Sequence, residues 1–248
     1  MMSSNEVNLL SISLKQYFYK LKANTGLLNR LIITQMLALF FSLVGANGMM
    51  SSGNGTVSVS VRTYSASIAI VFSILWITTV AILLTTKQYK KMEMTLVGNR
   101  MSGNLSDVVL LMTASVFAGI TSSLVGVLLR VIMYFTFDRS KMVFDGFSLT
   151  VSDLLLGMVV AILYMGLVSA MGYLVGMLAQ DNIAFLVLIP IAIFGSFRVY
   201  NNYFFAQSIY RFYVEDVSLA LFALKVIITM IIIFGVSMPL SNRMEVGK

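Results

Sequence analysis

Six apolar runs lie along the chain at 31–46, 64–86, 105–137, 151–178, 183–197 and 217–240, with short polar stretches between them. Each is long enough for a helix, and most approach the ~20 residues needed to cross a bilayer. The third is longer than a bilayer requires at about 1.5 Å per residue, so it is expected to tilt or project. The fifth is short, with Pro190 in its middle. The fourth is rich in small residues, and Gly172 with Gly176 makes a small-xxx-small pair that lets helix backbones approach closely.

Two polar stretches carry patterns of their own. In 9–22 (LLSISLKQYFYKLK) the apolar residues Leu10, Leu14, Tyr17, Phe18 and Leu21 recur at steps of three and four, while Lys15, Lys20 and Lys22 break the run. This predicts an interfacial amphipathic helix over 9–24, apolar face down and lysines toward the headgroups. Between the second and third runs, a basic segment over 87–103 also has helical spacing. Tyr89, Met92 and Leu96 fall on one face, and Lys87, Lys90 and Lys91 point elsewhere. Gly98 and the Ser102-Gly103 pair are expected to end it. Asn104 or Ser106 is then the expected cap of the next helix, with Asp107 in its first turn. Two uses fit such a helix: docking to another protein through its apolar face and basic rim, or adhesion to anionic headgroups.

Composition supports a chain embedded in lipid. The 248 residues are 58% hydrophobic and 11% charged, against about 25% charged in soluble domains. One domain, 1–248, is expected, with no room for a separate soluble unit and no cleavable signal peptide at its start. The net charge of +7 fits a topology bias and anionic lipid rather than nucleic acid. Ten cations (Lys15, Lys20, Lys22, Arg30, Lys87, Lys90, Lys91, Arg100, Arg243, Lys248) fall on one expected side and five (Arg62, Arg139, Lys141, Arg198, Arg211) on the other. Both termini are therefore expected in the cytoplasm. The opposite side would hold the neutral segment 47–63, flexible by its Gly, Ser and Asn content. It would also hold the aromatic-rich 197–216, read either as short re-entrant helices or as an ordinary aromatic belt.

The absence of His and Cys removes disulfides, thiol nucleophiles, His/Cys zinc sites and a Ser-His-Asp triad. No phosphate-binding G-x-x-x-x-G-K-[ST] loop is present, so any ATP would be used by another chain. No catalytic, cofactor-binding or metal-ligating residue is assigned, and the chain is expected not to be an enzyme. Arg130 and Lys225 lie about seven to nine residues inside their runs, where each either snorkels to the surface or lines a path for an anionic group. Asp153 lies at the outer end of the fourth run, where it caps or is solvated, or pairs with one of these cations. The 18 methionines suit adaptable packing or a path for amphiphiles.

The layout resembles the membrane subunit of an ABC exporter of the ABC-2 type. The features that carry the resemblance are the N-terminal amphipathic helix, the six spans, and a basic–Glu–hydrophobic–Gly–Arg–Ser segment at Glu93, Leu96, Gly98, Arg100 and Ser102. The segment 197–216 is similar to the short external re-entrant helices of that family. Gly98-Asn99 stands where a Ser-Pro pair is common in the family. The resemblance implies an all-α polytopic membrane protein of six transmembrane helices. It also implies a cytoplasmic coupling helix that contacts a separate ATPase through Lys87, Tyr89, Lys90, Lys91, Met92, Glu93, Leu96 and Arg100. A second contact is implied at Gln180 and Asp181. The implied partners are two ATPase subunits carrying ATP and Mg, a second copy or paralogue of the permease, membrane lipid, and a small peptide or amphiphilic cargo. The implied location is a bacterial cell membrane. A secondary transporter or channel is the alternative, and it calls for a midplane polar site or an internal repeat that the sequence does not display.

Overall fold

The computed structural model describes residues 9–44, 49–53, 58–62, 65–94, 99–136, 150–182, 184–199, 211–213 and 218–243. They form helices α1 (Leu9–Ala23), α2 (Thr25–Leu43), α3 (Ser67–Thr85), α4 (Lys87–Met94), α5 (Arg100–Thr136), α6 (Val151–Asp181), α7 (Ala184–Val199) and α8 (Leu219–Arg243). A two-stranded hairpin, β1 (Met49–Gly53) and β2 (Ser58–Arg62), lies between α2 and α3. Five helices, α2, α3, α5, α6 and α8, are long and apolar enough to cross a membrane. The α7 helix has 16 residues with Pro190 inside. It is about 24 Å long, short of the ~30 Å hydrocarbon layer.

Helix α6 is the centre of the bundle. It packs on α3, α5 and α8, and its Met165, Ala170, Tyr173 and Met177 are buried. Small residues set how close the neighbours come. A Cβ on Gly119 of α5 would lie 2.6 Å from Ile162 Cγ1 and 2.8 Å from the Ile162 backbone nitrogen. Gly172 and Gly176 meet Thr78, Ala81, Ile82 and Thr85 of α3 in the same way. Backbone-to-backbone packing of this kind is how helices associate where hydrocarbon surrounds them. Gly119→Ala is therefore expected to cost about 1–3 kcal/mol, because the backbone of α6 must give way. Gly157→Ala, with nothing within 4 Å of the added carbon, is expected to cost nothing. Thermal unfolding of the two variants in detergent checks the contrast.

Polar side chains inside the bundle are satisfied locally. Ser73, Thr78, Thr113 and Ser115 donate to the carbonyl one turn earlier, as a lipid-embedded helix requires. Gln35 of α2 donates to Ser73 Oγ at 3.0 Å and Thr121 Oγ1 at 2.9 Å, joining three helices.

The contacts give each helix a direction. Tyr164 meets Phe222 and Tyr173 meets Phe234, so α6 and α8 run parallel. Gly172 and Gly176 meet α3 in ascending order, so α3 runs parallel to them as well. Helix α5 runs the opposite way, with Asn104 beside Tyr173 and Gly126 beside Ala66. The C-terminal ends of α1, α3, α6 and α8 thus share one end of the bundle with α4 and the start of α5.

Four expectations change. The segment 47–63, expected flexible, holds the hairpin. Val59 and Val61 alternate with serine in β2, which pairs antiparallel with β1. Second, the described part of the basic helix is Lys87–Met94, and Arg100 to Gly103 open α5 instead of closing α4. Asn104 and Ser106 consequently lie inside α5 and cap nothing. Third, α1 buries Ser13, Gln16 and Lys20, while Leu10, Leu14 and Phe18 are exposed. Tyr17 and Leu21 also pack against the core, and Lys20 faces a buried carboxylate instead of the headgroups. Fourth, Lys90 is buried and does not point away from the bundle. Of the aromatic segment 197–216, residues 200–210 and 214–216 lie outside the described residues.

Candidate functional site

A single carboxylate organises the α4 end of the bundle. Asp107 is 0% exposed, two turns into α5, in a helix whose other charged residues are Arg100 and Arg130. An ionised carboxylate cannot remain buried without partners. Two lysines supply them. Lys20, in the last turn of α1, reaches Oδ1 at 2.5 Å, and Lys90 of α4 reaches Oδ2 at 2.5 Å. Lys20 also donates to the Gly103 carbonyl at 3.0 Å. Lys90 also donates to Asn104 Oδ1 at 3.0 Å, and the Tyr173 hydroxyl of α6 donates to the same oxygen at 3.4 Å. Four helices, α1, α4, α5 and α6, therefore meet on two side chains of α5.

Helix α4 is held to the bundle through one face. Thr86, in extended conformation, breaks the chain from α3, and its hydroxyl accepts from the Tyr89 backbone N–H at 3.4 Å. A threonine in that position caps a helix start. The Tyr89 hydroxyl accepts from Asn24 Nδ2 at 2.8 Å, at the junction of α1 and α2. Lys87, Gln88 and Lys91 are exposed. The helix is thus a short arm, tethered on one side by Tyr89 and Lys90 and presenting cations on the other. The Tyr17 hydroxyl and Thr113 Oγ1, 3.0 Å apart, extend the α1–α5 seam.

The remaining expected site residues are spread over the molecule. Arg100 is exposed at the start of α5. Met92 and Glu93 belong to α4 with side chains outside the described residues, and Leu96 lies outside them altogether. Gln180 sits near the end of α6 and its Nε2 is buried without a partner among the described residues. Asp181 closes α6, and its side chain is not described. Arg130 and Asp153 come together along one cleft at the far end of the bundle. Lys225 does not join them. Its ammonium donates to the Phe212 carbonyl at 3.1 Å and lies 4.7 Å from that ring's centroid. Tyr213 next to it donates to Thr229 at 3.0 Å, so the turn at 211–213 is fastened to α8.

Sequence reasoning missed Lys20, Asn104, Asp107 and Tyr173 as members of one site. A signal was present: one acidic residue in a long apolar helix, preceded in the chain by two lysine-bearing amphipathic segments. The chemistry available here is electrostatic tethering. Among the described residues five helices are long and apolar enough to span, as in a multi-pass helical membrane protein. Its comparison with protein-family models, with curated proteins and with solved structures finds no match.

Proposed function

We propose that the chain is the membrane-spanning permease subunit of an ATP-driven exporter of the ABC-2 type. It crosses a bacterial cell membrane six times with both termini in the cytoplasm. Two separate ATPase subunits, carrying ATP and Mg, drive it, and a second copy or paralogue of the permease completes the pathway. The cargo is a hydrophobic or amphipathic molecule, such as an antimicrobial or toxin peptide or a drug.

The observation that carries this reading is the attachment of α4. A coupling element needs an outward face for its partner and a stiff inward connection to the spans. Exposed Lys87 and Lys91 meet the first need, and the Lys90–Asp107–Lys20 joint meets the second. The gathering of Lys20, Lys87, Lys90, Lys91 and Arg100 at one end favours that end as cytoplasmic. The sixth crossing is supported by the parallel run of α6 and α8, which requires the chain to return between Asp181 and Leu219.

The test is a mild-detergent pull-down of the tagged chain from its own host, with mass spectrometry of what accompanies it. A stoichiometric ATPase subunit is expected. Combining Lys87→Glu with Lys91→Glu should reduce its recovery by about tenfold, the loss of a steering rim against a charged partner. Both positions are exposed, so folding should be unaffected. Recovery of the chain alone would transfer the reading to a secondary transporter or channel.

A further inference from the structure

The far end of the bundle carries a cleft of about 380 Å³ between the start of α3, the last third of α5 and the start of α6. Arg130 and Asp153 line it together with Ser122, Ser123 and Gly157, and Ile70 contributes to an apolar wall. Among the described residues no ion pair within 4.0 Å joins Arg130 to Asp153. The cleft therefore offers a cation and an anion to a visitor that carries both charges.

Depth indicates what kind of visitor. From Asp107 to Arg130 the rise along α5 is ~34 Å, close to the ~30 Å thickness of a hydrocarbon layer. Charged side chains on a membrane helix belong at its boundaries. With the Asp107 joint at one boundary, Arg130 stands at the other, level with lipid headgroups.

We infer that this cleft binds the headgroup of a phospholipid bearing a phosphate and a primary ammonium, an ethanolamine-type zwitterion. The guanidinium of Arg130 presents a planar fork suited to a phosphate. The Asp153 carboxylate accepts the ammonium. Ser122 and Ser123 each donate their hydroxyl hydrogen to the Gly119 carbonyl at 3.0 Å, which leaves their oxygens as further acceptors. A quaternary ammonium has no N–H to donate and is held by aromatic faces, and among the described residues that line the cleft none is aromatic. A purely anionic headgroup would bring a second negative charge to Asp153 with no ammonium between them. The apolar wall receives the glycerol end of the acyl chains. This assignment does not depend on the source of energy for transport.

The test is native mass spectrometry of the full chain in detergent, offered phosphatidylethanolamine, phosphatidylcholine and phosphatidylglycerol with matched acyl chains. One phosphatidylethanolamine is expected to stay bound, preferred about tenfold, the discrimination of one charge-assisted hydrogen-bond set. Gly157 lines the cleft and an added Cβ there meets no protein atom within 4 Å, so Gly157→Leu is accommodated, adds bulk at the cleft and should abolish the preference. Asp153→Asn should bring phosphatidylglycerol close to parity with phosphatidylethanolamine. Equal retention of the three lipids by the wild-type chain would overturn the inference, as would a preference unmoved by both substitutions. Soluble phosphoethanolamine at the same concentration should leave the lipid in place. Displacement by it would overturn the lipid assignment.

Discussion

Asp107→Leu is expected to destabilise the protein by about 3–5 kcal/mol, the largest loss of any single substitution considered. The reason is what it leaves behind. Lys20 and Lys90 are 3% and 8% exposed, and each would lose the carboxylate oxygen it sits against. The bundle then either exposes them, parting α1 and α4 from α5, or holds buried ammonium groups that have lost this carboxylate. Thermal unfolding in detergent measures the loss. The triple variant Lys20→Met, Asp107→Leu, Lys90→Met separates this account from simple misfit. An apolar replacement of a whole buried ionic group is often neutral or stabilising, so the triple variant should recover most of the loss. A single variant as stable as wild type would mean that the joint does not hold the helices together. A triple variant as weak as the single would assign the loss to shape.

Lys90→Met is expected to separate two activities that normally go together. It removes α4's charge-assisted hold on α5 and leaves Asp107 its partner Lys20, so the fold should survive with a smaller loss of stability. Lys87 and Lys91, the cations proposed to meet the ATPase, are untouched. In reconstituted vesicles the partner ATPase should still be recruited and still hydrolyse ATP, while transport per ATP falls by about tenfold, the size of an interaction of ~1.4 kcal/mol. A conservative Lys90→Arg variant should restore part of the transport. If transport and hydrolysis fall together in Lys90→Met, the residue governs assembly instead. If neither falls, α4 is not the element that transmits the stroke.

The spans were legible because they are local. A run such as 64–86 is apolar on all sides, and α3 forms within it at Ser67–Thr85. Helices α6 and α8 also coincide closely with their runs. The helix starts were less legible. Helix α2 begins at Thr25, six residues before its apolar run, because Arg30 is exposed on one side of a helix whose other side is buried at Leu31 and Gln35. Helix α5 begins at Arg100 because packing against α1, α4 and α6 makes a polar first turn worth forming. The hairpin was hidden by its composition: serine is the commonest residue of its two strands, and only cross-strand pairing reveals strands there.

The residues of the site were visible individually, but their association was not. The sequence by itself determined that this chain lives in a membrane, that its helices are closely packed through small residues, and that a short basic helix follows the second apolar run. Those are properties of neighbours along the chain, set by hydropathy and by periods of three and four. Only the tertiary structure decided that Lys20, 87 residues away from Asp107, and Lys90, 17 away, converge on it, and that Arg130 and Asp153 line one cleft. A buried charge must find its counterion wherever the packing of helices places one, and that placement is a property of the whole bundle rather than of any segment.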